Sequence, residues 1–152
     1  MNWTNLFEAQ GAQQTIERIN TLSPETERIW GKMNVAQMLA HLNVTYELVY
    51  DNKHPKPGGF EKFMIKLFAK KVVVGPKPYK RNTRTAPMFL ITGERDFEAE
   101  KKRLIAYIEK TRELGADHFD GKESHAFGNL SKTEWNTLFS KHLDHHLKQF
   151  GV

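Results

Sequence analysis

Apolar residues recur at intervals of three and four along most of this chain, and strand-like alternation is scarce, so the pattern selects helices over sheet. Four segments carry that periodicity. The first runs from Gln10 to Leu22, with Ala12, Ile16, Ile19 and Leu22 on one face and Ser23-Pro24 as its end. The second begins at Asn34, which forms a capping-box pair with Gln37 while Met33 and Met38 staple the entry. Val35, Met38, Leu39, Leu42, Tyr46 and Val49 make its apolar stripe. The third follows Asp96 as N-cap, shows Phe97, Leu104, Ile105, Ile108 and Thr111 on one face, and should stop at Gly115. The fourth has the clearest start: Ser131-Lys-Thr-Glu134 is a capping box, Leu130 and Trp135 form its staple, and it should reach about Gln149. Four such helices and no convincing sheet in 152 residues predict one all-α domain over residues 1–152, a four-helix bundle.

Between the second and third helices lies a long crossover, residues 52–95, rich in Gly, Pro and Lys. A structureless loop of that length is rare in a compact domain. Phe60, Phe63, Met64, Leu67 and Phe68 have helical spacing, which predicts a short amphipathic helix inside it. The Val72–Val74 triplet and the run Met88–Ile91 are compatible with extended backbone, although neither makes a sheet. Ten lysines and arginines crowd this region with aromatics between them: Lys53, Lys56, Lys62, Lys66, Lys70, Lys71, Lys77, Lys80, Arg81 and Arg84. The preferred expectation is that the aromatics pack over the bundle and the lysines are solvated. The rival is a membrane-surface helix or a nucleic-acid patch.

Composition excludes several classes. Without cysteine there is no disulfide, thiolate metal site or cysteine nucleophile. The first residues lack a basic start followed by an apolar run, so no signal peptide is expected. No stretch approaches the roughly 20 apolar residues of a membrane span. These features suit a cytoplasmic protein. A net charge of +5 is too small to argue for nucleic acid as a partner. The expected partner is a small-molecule substrate, and a homodimer is left open.

The fourth helix carries the chemistry. At about 100° per residue, Trp135, Leu138, Phe139, His142, His146 and Gln149 share one stripe. Its apolar members must face the core, so two imidazoles four residues apart point inward. Neighbours at that spacing are about 5–6 Å apart at Cβ, close enough for both rings to reach one metal ion. The alternative is two satisfied core histidines. The Glu of an H-E-x-x-H protease motif is absent. Asp144 should face solvent, and His145 sits at the stripe's edge. A third ligand would come from His41, His54, His118, His125 or His145. His54, among prolines, reads as a solvated loop residue. His118 lies in the loop expected after the third helix and has no periodic context, and His125 precedes the helix cap, about 16 Å below the histidine pair, and reads first as a loop anchor and only second as a pocket residue. His41 lies beside the stripe of the second helix, two turns from its start, with Thr45 and Leu48 on its own side. If the second and fourth helices are antiparallel, that level matches His142 and His146. The reading is therefore a metal site of His41, His142 and His146. Nitrogen ligands suit a first-row divalent ion such as zinc, nickel, iron or copper.

The tail His125-Ala-Phe-Gly-Asn-Leu-Ser-Lys-Thr-Glu-Trp135, followed by Lys141-His-Leu-Asp-His-His-Leu-Lys-Gln-Phe-Gly151, resembles the DinB/YfiT-like superfamily of proposed metalloenzymes, in an uncharacterised branch. The segment Trp30-Gly-Lys-Met-Asn-Val-Ala-Gln-Met-Leu-Ala-His41-Leu resembles that branch's second-helix motif. The resemblance implies a four-helix bundle with a long second connection and a three-histidine metal site at His41, His142 and His146. It also implies kinship with transferases and isomerases that use low-molecular-weight thiols. Three nitrogens leave an open coordination position, the arrangement of catalytic sites. The expected function is a metal-dependent transferase that activates an external thiol. A metal-dependent hydrolase and a non-catalytic, stress-related metal-binding protein are the alternatives. No general base stands out: Glu47 is too far round the second helix, and Asp144 faces away.

Overall fold

The computed structural model describes residues 3–152. Local signals set most element boundaries. Helix α1 spans Ala9–Asn20, and its Ala12, Ile16 and Ile19 are buried, as is Leu22 just beyond it. Helix α2 spans Val35–Tyr50, started by the reciprocal Asn34–Gln37 capping box. The crossover folds into α3 (Gly59–Phe68), α4 (Lys70–Val74) and a single 3-10 turn at Pro87–Phe89. Helix α5 spans Phe97–Phe119, capped by the Asp96 side chain on the Ala99 amide. A two-residue antiparallel hairpin follows, with β1 (Glu123–Ser124) paired to β2 (Gly128–Asn129). Helix α6 spans Lys132–Gln149 and opens on the Ser131–Glu134 capping box.

Cross-element contacts give the helix directions. Asn43 and Glu47 of α2, and Asp51 that caps its end, meet Glu100, Arg103 and Tyr107 of α5 in the same order, so these two helices run parallel. His41 and Thr45 meet His142, and Tyr46 stacks on Phe139, so α6 returns antiparallel to α2. Near one end of α1 the Leu6 amide donates to Asn136, and near the other Arg18 pairs with Asp144, which places α1 parallel to α6. Phe7 packs on Phe119 and Lys101 reaches the Asn20 carbonyl, so α1 opposes α5. Tyr46 lies flat between Tyr107 at 5.4 Å and Phe139 at 5.1 Å, joining three helices in one aromatic stack. Leu39, Leu42, Leu104, Ile108, Leu143 and Leu147 complete the buried centre. No helix among the described residues is long and apolar enough to cross a membrane.

Several expectations fail in whole or in part. The expected stop at Gly115 is present but partial: the backbone leaves helical geometry there, inside α5. Gly115 adopts φ 73°, a left-handed conformation open to glycine, and the helix resumes to Phe119 after the kink. Val72–Val74 is helical rather than extended, and Pro87–Phe89 is a 3-10 turn. Asp144 is half-buried, held between Arg18 at 3.1 Å and Lys148 at 2.8 Å. His54 is not free in solvent: its Nε2 lies 2.8 Å from the Glu47 carboxylate. The crossover aromatics divide: Tyr79 and Phe89 pack against histidines of α2 and α6, whereas Phe60, Phe63 and Phe68 stand in solvent.

Candidate metal centre

The caps of α2 and α6 set the register of the site. From the Asn34 cap, two turns of α2 bring His41 and, one turn later, Thr45 to the face that meets α6. The antiparallel return of α6 puts His142 and His146 opposite them. One ring nitrogen from each of His41, His142 and His146 lies within 4.8 Å of the others. His41 Nε2 and His142 Nε2 are 3.0 Å apart. The ring centroids are 4.9 Å apart for His41–His142 and His142–His146, and 4.5 Å for His41–His146. A tetrahedral ion with nitrogen bonds of about 2.0–2.1 Å separates its ligand atoms by ~3.3 Å, so small ring shifts would seat one.

The remaining ring nitrogens explain why the rings face each other. His41 Nδ1 donates to the Phe89 carbonyl at 2.8 Å. His146 Nδ1 donates to Gln149 Oε1 at 2.8 Å, and the Gln149 amide in turn donates to the Trp30 carbonyl at 2.8 Å. A carbonyl cannot donate, so both rings carry their proton on Nδ1 and present an Nε2 lone pair to the centre. His142 Nδ1 lies 2.8 Å from the Thr45 hydroxyl, which can donate or accept. Thr45 therefore supports two arrangements. In one, His142 Nε2–H donates to His41 Nε2. In the other, His142 Nδ1–H donates to Thr45 Oγ1, and a third lone pair joins the first two. The second arrangement is the donor set a divalent transition metal takes, with ring orientations fixed by outer hydrogen bonds.

Burial keeps all three rings neutral. His146 is pushed down to about 3, by loss of water first and then by its neighbour His41. His142 lies well below the ordinary histidine value, through burial and the adjacent His146, His41 and His145. His41 is lowered by burial, against the opposing effect of its bond to Phe89. At neutral pH metal binding would release no net proton, since the Nε2 proton of the first arrangement need only move to His142 Nδ1 beside Thr45. No carboxylate lies in the cluster to compensate an imidazolium. Glu47, half a helix away, is committed to Arg103 and His54.

Phe89 and Tyr79 cover the rings from the crossover. Phe89 lies 5.3 Å from His41 and 5.8 Å from His142, and Tyr79 stands edge-on to His142 at 6.4 Å. Beyond Tyr79 opens a pocket of about 380 Å³ whose lining includes Trp3, Trp30, Tyr79, Arg81, His145 and Lys148. Its Arg81 guanidinium stacks 4.1 Å over Trp30 and has no carboxylate partner among the described residues. The Trp3 indole N–H is likewise without an acceptor. A second cleft, of about 430 Å³, lies between Pro24–Arg28 and the start of α2 and contains no histidine.

The three histidines singled out from the sequence thus come together. His145 stays outside the cluster, between Trp30 and Tyr79. His125 anchors a loop through the Pro55 carbonyl at 3.1 Å, and His118 packs edge-on against Phe119. Sequence reasoning placed Gln149 on the histidine stripe and Thr45 beside His41 without assigning either a role. The Phe89 carbonyl and the cover by Tyr79 left no periodic signal.

A family model described as a protein of unknown function, DUF1569, matches residues 4–151. Among curated proteins and among solved structures, none matches the chain. The family match runs almost from end to end and contains all three clustered histidines, and the chain belongs to the DUF1569 family.

Proposed function

We propose that this chain is a divalent-metal-dependent enzyme of the DinB/YfiT-like type, a four-helix bundle in which His41, His142 and His146 hold a zinc, nickel or iron ion. The observation that carries the reading is the convergence of three neutral imidazoles, two of them locked by carbonyl acceptors with Nε2 turned to a common centre. The inward Nε2 lone pairs of His41 and His146 cannot both be satisfied by the one Nε2–H that His142 can offer, and a shared cation satisfies them together. Three nitrogens leave a coordination position open. When bound there, the ion supplies a Lewis acid that lowers the pKa of an external thiol or of water.

The chain itself has no thiol, so a thiol nucleophile would come from a small molecule. The neighbouring pocket supports an anionic one: Arg81, on its lining, has no carboxylate partner among the described residues. Tyr79 and Phe89 restrict water at the rings and would have to admit the substrate. The favoured reaction is thus transfer of an activated low-molecular-weight thiol to an electrophile. Metal analysis after dialysis is the first test: wild type should carry a stoichiometric first-row metal, and His142→Ala/His146→Ala should carry none. A double variant with wild-type metal content would overturn the site. Turnover of an electrophilic substrate should then require both the metal and added thiol. Metal-dependent turnover without thiol would make the protein a hydrolase, and none across a broad panel would make it a metal-binding protein.

A further inference from the structure

Helix α3 is amphipathic, yet it turns its polar side to the protein and its apolar side to solvent. Lys62 and Lys66 of α3, with Lys70 at the start of α4, follow one another at four-residue spacing. Lys62 pairs with Glu123 at 2.7 Å, Lys66 Nζ lies against Gly128, and Lys70 pairs with Glu134 at 3.1 Å. The opposite line is Phe60, Phe63, Leu67, Phe68 and, on α4, Val72, exposed to 80%, 59%, 54%, 66% and 54%. Five large apolar side chains in one exposed stripe are not ordinary surface scatter.

Charge decides what would cover that stripe. Residues 52–93 hold ten lysines and arginines and one acid, Glu61, whereas the rest of the chain has more acids than bases. Lys56, Lys71, Lys77, Lys80 and Arg84 are exposed and have no acidic partner among the described residues. A second copy seated face to face would bring two such segments together and be repelled. A nucleic acid would satisfy the cations but not an aliphatic and phenyl stripe. An anionic lipid surface satisfies both, with acyl chains for the stripe and head groups for the cations. Ten residues cannot span a bilayer, so the helix would lie in its plane.

We propose that α3 and α4 form a membrane-surface anchor, the exposed stripe from Phe60 to Val72 entering the interface of an anionic bilayer while unpaired cations of the same segment meet its head groups. Flotation with lipid vesicles tests this. Wild type should float with phosphatidylcholine vesicles that contain phosphatidylserine, not with pure phosphatidylcholine, and less at high salt. Phe63→Gln/Leu67→Gln/Phe68→Gln should reduce partitioning about tenfold or more. Because those side chains are exposed, its circular dichroism and melting temperature should match wild type. Lys71→Glu/Lys77→Glu should also weaken binding. Absence of flotation, or flotation unchanged by the triple variant, overturns the anchor. So does a wild-type dimer that the triple variant dissolves, which assigns the stripe to a second copy, or Phe-dependent retention of DNA.

Discussion

Gln149 decides which nitrogen of His146 faces the centre. Its amide N–H is committed to the Trp30 carbonyl, so only its oxygen is left for His146 Nδ1. Gln149→Leu would leave both the ring N–H and the Trp30 carbonyl without partners and free the ring to turn. Outer-shell replacements of this kind cost about 10–100-fold in metal affinity. Competition against a chelating dye should show that loss while His142 and His146 remain in place, and unchanged affinity would remove Gln149 from the site. The pair His142 and His146 was legible in the sequence because both lie on a stripe whose apolar members had to face inward. The tautomers were not, since the Trp30 carbonyl lies 119 residues from Gln149 and the Phe89 carbonyl 48 from His41. Those are backbone contacts, and side-chain periodicity does not encode them.

Caps and stripes made α1, α2, α5 and α6 readable as elements because those signals are local, a few residues long and tied to specific amides. The crossover resisted the same reading because distant groups hold it. Lys141, next to His142, is fully buried, and its ammonium donates to the carbonyls of Val72, Gly75 and Lys77 at 2.6, 2.7 and 3.2 Å. Tyr79, which covers His142, lies 4.7 Å from the same ammonium. One side chain of α6 therefore fastens the end of α4 and the segment that lids the histidines. In sequence this lysine looks like any other on a polar flank. Lys141→Met would strand three carbonyls, each otherwise satisfied, and should destabilise the fastening by about 1–3 kcal/mol. Hydrogen–deuterium exchange should rise in residues 72–79 while the middle of α5 keeps its protection. Equal acceleration in both would mean that Lys141 holds the whole fold rather than the crossover.

At the scale of the molecule, the histidine cluster couples folding to pH. In the unfolded chain each imidazole titrates near 6.5, whereas in the folded, metal-free protein His146 is pushed down to about 3 and His142 and His41 are also lowered, burial being the first cause for each. Above about 6.5 neither state binds these protons, and the cluster adds no pH dependence. Below it the unfolded chain takes up protons that the folded one refuses. Stability must therefore fall with falling pH through the window from 6.5 toward 3, with a slope of at most about 1.4 kcal/mol per pH unit for each histidine involved. Carboxylates with lowered values, such as Glu47, contribute only toward the lower end, below their ordinary 4.5. The upper part of the window thus reports histidine alone. Urea unfolding of chelated protein at a series of pH values between 6.5 and 5 should give midpoints that drop steadily, and His146→Gln should give a shallower drop. A flat wild-type profile there would mean that the rings accept protons in the folded state. Bound metal should steepen the decline, since an ion that binds only the folded form is released as the ligands protonate.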